Sequence, residues 1–183
     1  KFFLIDRGDL SKDLSIDRLP VAQREILKLA KKNDLSIVFD LDYRPYTWDS
    51  ESQVSTTYYE AAKSCDIVIG NDDEFSIIAG DYKKGINLAR DLLNELPLII
   101  IYKMGIKGSI TFTEEEVIKT GIYQVKALKP TGAGDAFMGA FISSLSKNKS
   151  IKDSIVYGSA SAALVVTRVG CSPAMPNNEE LEY

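Results

Sequence analysis

LSIVFDLD, residues 35–42, is an uninterrupted run of apolar, largely branched side chains that turns abruptly acidic. A segment apolar at consecutive positions, rather than alternate ones, predicts a strand buried on both faces, the habit of parallel sheets. KFFLI (1–5), DIVIG (66–70) and LIIIYK (98–103) have the same character. Helical patterns fall between them. Residues 19–32 carry Val21, Ile26 and Leu29 at roughly helical spacing, with Pro20 near the start and a basic end suited to the helix dipole. Residues 50–64 predict a second helix, and 73–79 and 86–96 two more, broken at Gly80 and Gly85. Strands and helices in alternation predict an α/β fold: a mostly parallel sheet covered on both faces. Residues 108–125 then change style to short alternating strands with turns, and helices over 133–146 and 150–167 close the chain. With no repeat, linker or low-complexity tract, residues 1–183 read as a single α/β domain.

Composition narrows the chemistry. The net charge is −4 with no basic run, which argues against a nucleic-acid partner. The apolar runs are too short to span a bilayer, and KFFLIDRGDL meets charge too early for a signal peptide. Cys65 and Cys171 show no pairing pattern, so the reading is a cytoplasmic protein with free thiols. Histidine is absent, which removes Ser-His-Asp triads, Cys-His pairs and His-ligated zinc. Chemistry must therefore run on carboxylates, Lys, Arg and backbone amides.

Polar residues of those kinds stand at the strand ends: Asp40 and Asp42 after one, Asn71 after the next, Lys103 after the third. Ligands of open parallel sheets bind beyond the carboxyl ends of the strands. Further on, LKPTGAGDAFMGAF (128–141) sets Gly132, Ala133 and Gly134 against Asp135 at a helix start. The glycines let the backbone approach a ligand, and the open amides of a helix N-terminus form an anion site. Asp135 either caps that helix or accepts a proton beside the anion hole. The second reading supplies what phosphoryl transfer to a hydroxyl needs, charge-stabilising donors next to a base. The spacing is neither a Walker A loop nor a dinucleotide-binding G-x-G-x-x-G turn.

KPTGAGDAFMGAF resembles the C-terminal signature of the PfkB carbohydrate kinases, whose fold is ribokinase-like, a three-layer α/β/α arrangement. Three further segments match in order: DLDYRPYTW (40–48), NDDE (71–74) and KMGIKGS (103–109). The resemblance implies an ATP- and Mg²⁺-dependent kinase with Asp135 as base and Gly132, Ala133 and Gly134 as anion hole. Asn71 and Glu74 would handle magnesium and phosphate, and Lys103, Gly105, Gly108, Thr131 and Ala160 would border the nucleotide. Arg44 and Asp42, with Asp135, would meet the acceptor. The D-x-D-x-R-P-x-x-W spelling and the RVGCSPAMP tail (168–176) are similar to the branch acting on keto-deoxy-gluconates. They imply transfer to a primary hydroxyl of 5-dehydro-2-deoxygluconate in inositol breakdown, or of 2-dehydro-3-deoxygluconate as the alternative. A nucleotide-binding module without turnover is the alternative of another class.

Structural readings stand beside these. Asn71 and Glu74 also spell a capping box, Arg44 also suits a surface ion pair, and Gly105 and Gly108 also suit a hairpin turn. Ala160, Ala162 and Ala163 also suit helix packing. Two departures from the family are plain: Lys129 and Pro130 replace its Asp-Thr, which puts a monovalent-cation site in doubt, and Asp42 replaces its more frequent Asn. The family's N-terminal Gly-Gly signature and β lid do not occur in the sequence. A lid paired across subunits would make a homodimer, for which no residue here speaks.

Overall fold

β-Branched side chains favour the pleated backbone, and the apolar runs form strands where they were expected. The computed structural model describes residues 1–5 and 21–181; Pro20 lies outside the described residues. In chain order the elements begin β1 (Phe2–Ile5), α1 (Val21–Lys32), β2 (Ser36–Asp40), α2 (Glu51–Ala62), β3 (Ile67–Asn71) and α3 (Asp72–Ala79). They continue α4 (Gly85–Asp91), β4 (Ile99–Lys103), β5 (Ser109–Thr113), β6 (Val117–Thr120), α5 (Ala133–Ser146), α6 (Ile151–Val166) and α7 (Asn178–Leu181). The strands form one sheet in the order β1-β2-β3-β4-β5-β6. β1 to β4 run parallel, and β5 returns antiparallel to β4. This is the mostly parallel α/β sheet the sequence predicts.

The chain divides into two compact units, Lys1–Gly105 with Ser109–Ile118, and Ile106–Gly108 with Lys119–Tyr183. In the first, register aligns Phe39, Val68, Ile100 and Phe112 in a row across four strands. That row packs with Tyr58 and Ala61 of α2, Phe75 and Ile78 of α3, and Ala89 of α4. Burying each large apolar side chain contributes about 1.5–3 kcal/mol. Val38, Ile67, Ile69 and Ile101, pointing from the opposite face, are buried as well, as consecutive apolar positions require. Ser50 starts α2 by accepting the Gln53 amide at 3.2 Å.

The second unit is built on α5 and α6. Ser150 caps α6 by accepting the Asp153 amide at 3.0 Å. Gly158 brings the two helices together: a Cβ there would stand 2.9 Å from the Phe137 carbonyl oxygen and ring. The buried residues of α6 are Ser154, Ile155, Gly158, Ser161 and Val165, while Ala160, Ala162 and Ala163 are half-buried.

Several local expectations change. Among the described side chains of α1 the buried ones are Leu27 and Ala30, whereas Ile26 and Leu29 are 44% and 60% exposed. The apolar stripe of this helix is wider than the surface available to cover it, and periodicity alone does not choose the covered half. Gly85 does not break a helix; it begins α4 with right-handed torsions. Its missing side chain serves close packing instead, because a Cβ would lie 2.9 Å from Ser76 Oγ. The strands after residue 108 end at Thr120 rather than 125, and residues 121–128 are exposed without regular structure. The short α7 was not expected. It is tied back by the Arg168–Glu180 ion pair at 2.5 Å, and the Glu180 amide donates to Asn177 at 3.0 Å.

Gly108 closes the turn between β4 and β5 at φ 86°, and a Cβ there would stand 2.0 Å from the Thr120 carbonyl oxygen. Gly108→Ala is therefore expected to destabilise the protein by more than the ~1–2 kcal/mol of a left-handed alanine alone. Denaturant unfolding measures it; an unchanged midpoint would mean the turn relaxes without loss.

Candidate active site

The C-terminal ends of β2, β3 and β4 carry the polar residues of the first unit. After β2 the chain turns at Asp42, whose φ of 36° lies in the left-handed region that Asp tolerates better than most residues. Arg44 folds back over this turn. Its Nη2 lies 2.5 Å from Asp42 Oδ1, and its Nη1 donates to the Tyr43 carbonyl at 3.1 Å. Pro45 starts a single 3₁₀ turn, Pro45–Thr47, which the Trp48 amide closes on the Pro45 carbonyl at 3.3 Å. Two aromatic residues of DLDYRPYTW are anchors: the rings of Tyr43 and Trp48 both meet Tyr58 edge-on, at 6.5 and 5.6 Å, whereas Tyr46 is exposed. Tyr58 is fully buried against Phe39, so the turn rests on core.

β3 runs directly into α3, and the capping box forms in full. Asn71 Oδ1 accepts the Glu74 amide at 2.9 Å, and Glu74 Oε2 accepts the Asn71 amide at 2.7 Å. The other carboxylate oxygen, Oε1, accepts the Tyr43 amide at 3.0 Å. Glu74 thus joins the Asp42–Arg44 turn to the start of α3. It is buried, and desolvation pushes its carboxyl above the usual carboxylate range. The two amide donors and the Lys103 ammonium oppose that rise, while the Asp42 charge adds to it. Lys103 also stands beside Asn71 in the sheet register. Asp42, Arg44, Asn71, Glu74 and Lys103 are therefore gathered at one end of the sheet. Tyr43, Arg44, Asn71, Asp73 and Glu74 share the wall of a cavity of about 870 Å³. Among the described residues no group of three His, Cys, Asp or Glu could hold a metal by itself. The donor set fits Mg²⁺ held mainly through water and phosphate oxygens, since Glu74 keeps acceptor capacity on both oxygens.

The Gly-rich segment lies in the second unit. Gly132 caps α5 at φ 88°, a torsion that favours glycine. The Ala133 amide donates to the Pro130 carbonyl at 3.2 Å. The amides of Gly134 and Asp135 remain as the donors that a first helical turn leaves without helical acceptors. Of the three expected anion-hole residues, Ala133 thus has its amide engaged in a turn. Asp135 is exposed, which suits a group that must reach a substrate. Thr131 is exposed just before the cap. Asp135 opens a cavity of about 240 Å³ along α5, past Gly139 and Ser143 to Lys147. These residues recur every four positions, a helical face legible in the sequence but not singled out from it. Lys129, in place of the family's Asp, lies 3.4 Å from Cys171 Sγ. Gly105 and Gly108 both have positive φ in the β4–β5 turn, so their turn role is met.

The polar strand ends, the formed N-x-x-E box and the glycine turn opening on Asp135 are features shared with known proteins. Residues 10–178 match the profile of the pfkB family carbohydrate kinases. The chain belongs to that family. It is 38% identical over 185 residues to 5-dehydro-2-deoxygluconokinase of Halalkalibacterium halodurans, covering 100% of this chain and 55% of that protein. This pfkB chain thus spans about half the length of the curated relatives it matches. Its fold is ribokinase-like. Ribokinase from Thermotoga maritima superposes with a TM-score of 0.75 at 25% identity, covering 100% of this chain and 55% of that one. Aminoimidazole riboside kinase from Salmonella enterica, complexed with aminoimidazole riboside and an ATP analog, superposes at 0.81 and 21% identity, over 99% and 61%. Among the described residues no helix is long and apolar enough to cross a membrane. Cys65 and Cys171 are both free, and burial pushes the Cys65 thiol up to about 12.

Proposed function

We propose that the protein transfers the γ-phosphoryl group of ATP to a primary hydroxyl of a sugar acid, with 5-dehydro-2-deoxygluconate the preferred acceptor. The observation that carries the reading is Asp135, exposed in the first turn of α5 beside the open amides of Gly134 and itself. The acceptor hydroxyl oxygen attacks the γ-phosphorus as the bond to the β-phosphate oxygen breaks, and ADP leaves with that electron pair. Asp135 takes the hydroxyl proton as the new O–P bond forms. The open amides donate to the phosphoryl oxygens, where negative charge must be held. Lys103, Gly105, Gly108, Thr131 and Ala160 are assigned to the nucleotide side, and Arg44 and Asp42 to the acceptor. We read residues 1–183 as a single α/β domain. The relatives named 5-dehydro-2-deoxygluconokinase support the acceptor, and the ATP analog of the Salmonella kinase supports the donor. A cytoplasmic location follows from a small-molecule reaction that uses ATP.

Asn71 and Glu74 would hold a Mg²⁺ through its waters. The bound ion would offset charge on the phosphates. Glu74→Gln removes the charge but not the shape, so the Mg²⁺ concentration for half-maximal rate is expected to rise. Titration of magnesium at saturating ATP and acceptor checks this, and an unchanged dependence confines Glu74 to structure.

The assay for the reaction itself is ADP release, coupled to a reporter, over a panel of sugars and sugar acids with the complete enzyme. Keto-deoxy-gluconates should be phosphorylated ahead of fructose, ribose and adenosine. Equal rates with neutral sugars would overturn the sugar-acid reading, and ATP binding without turnover of any acceptor would favour a nucleotide-binding module.

A further inference from the structure

We infer that Glu74 is a positioning residue for Arg44, setting the acceptor side of the site through the Tyr43 amide in addition to any part it takes in handling metal. The inference rests on the reading of Arg44 as the acceptor's partner. Residues 42–44 lie outside regular structure, and Asp42 within them has a left-handed φ of 36°. Such a turn keeps one conformation only if its surroundings over-determine it. Three contacts do so here. The Tyr43 ring rests on Tyr58, the Arg44 guanidinium bridges Asp42 and the Tyr43 carbonyl, and the Tyr43 amide donates to Glu74 Oε1 at 3.0 Å. Of these, the third binds the turn's backbone to another element. Glu74 is itself fixed, because its second oxygen takes the Asn71 amide at 2.7 Å. Both Arg44 and Glu74 line the same cavity.

A carboxylate is needed for this role because both of its oxygens face amide N–H groups. Glutamine offers one oxygen and one NH₂, so one of the two amides would face a donor. Aspartate keeps the charge but lacks the reach to hold both. The metal role depends on charge, and the positioning role on two acceptor oxygens at the reach of glutamate, so Glu74→Asp, which keeps the charge, isolates the positioning role.

The test is a double-mutant cycle in the complete enzyme, reading the Michaelis constants for a keto-deoxy-gluconate and for ATP, with amide hydrogen exchange at Tyr43 as a readout independent of activity. Glu74→Gln and Glu74→Asp are both expected to raise the acceptor constant by about 3- to 10-fold, the size of a coupling between residues in one network. Both should speed exchange of the Tyr43 amide. In an Arg44→Met background the same substitutions should change the acceptor constant by less than about twofold, since the group being positioned is gone. Equal effects in both backgrounds, or unchanged Tyr43 exchange, would overturn the inference while leaving Arg44 as the acceptor's partner. An acceptor constant untouched by Arg44→Met alone would instead remove the underlying reading, and this inference with it. If Glu74→Gln fails to fold, Glu74→Asp, which retains the carboxylate, carries the same comparison.

Discussion

Asp135→Asn in the complete enzyme is expected to lower turnover by roughly 100-fold or more while leaving ATP affinity nearly unchanged. Asparagine keeps the size of the side chain, and α5 has Gly132 as its N-cap with no side-chain cap bond, so the helix should form with only the small loss of a favourable first-turn charge. The substitution removes the capacity to accept a proton. Gly132, whose φ of 88° sets the entry to α5, is untouched, and so are the amides of Gly134. Single-turnover kinetics with bound ATP isolates the phosphoryl-transfer step, and a thermal melt shows whether the helix start has suffered. A variant with near-normal turnover and a lowered melting temperature would confine Asp135 to stabilising the helix start by its charge.

The parts of this protein that sequence reveals are those in which each residue's chemistry has one structural outlet. Phe39, Val68 and Ile100 on one face, with Val38, Ile67, Ile69 and Ile101 on the other, could only be satisfied by a sheet buried on both faces, and the first three lie in register across it. Helices were expected from residues 50 and 150, and helices start there, with Ser50 and Ser150 as their caps. Where two outlets exist, sequence reading stalls. The four apolar residues around Ile26 and Leu27 could present either half of the helix, and the covered half depends on neighbours distant in the chain. Gly85 could bend the chain or admit another helix, and Ser76 decides for the second. The same holds at the site. N-D-D-E predicts that Asn71 and Glu74 meet, and they do. That Glu74 also takes the Tyr43 amide was not legible, because a backbone donor carries no sequence signal and the partners lie 31 positions apart. The engagement of the Ala133 amide by Pro130 is local, yet it too was hidden because both partners are backbone groups.

Arg44→Met should raise the Michaelis constant for a keto-deoxy-gluconate and leave that for ATP almost untouched. A charge-assisted hydrogen bond is worth about 1.5–3 kcal/mol, which sets the range at roughly 10- to 150-fold. The structure places the result toward the lower end. Arg44 is already paired with Asp42 at 2.5 Å, with the two side chains 45% and 26% exposed. An incoming carboxylate must share or replace that partner. An ion pair exposed to this degree contributes only about 0–1 kcal/mol, so solvent makes the exchange inexpensive but not free. This gives Asp42→Asn the opposite sign. It leaves the guanidinium more available and removes a negative charge near the acceptor's carboxylate, so the acceptor constant should fall, by up to about fivefold. The pair of variants is more discriminating than either alone. If Arg44 holds the acid, the two substitutions move the acceptor constant in opposite directions, and a neutral sugar responds weakly to both. If Arg44 serves the phosphates instead, Arg44→Met raises the constant for ATP and Asp42→Asn lowers it. Steady-state kinetics with acid and neutral acceptors at fixed saturating ATP, then with ATP varied, distinguishes the two. A shift confined to ATP would move Arg44 to the phosphate side and end the sugar-acid assignment.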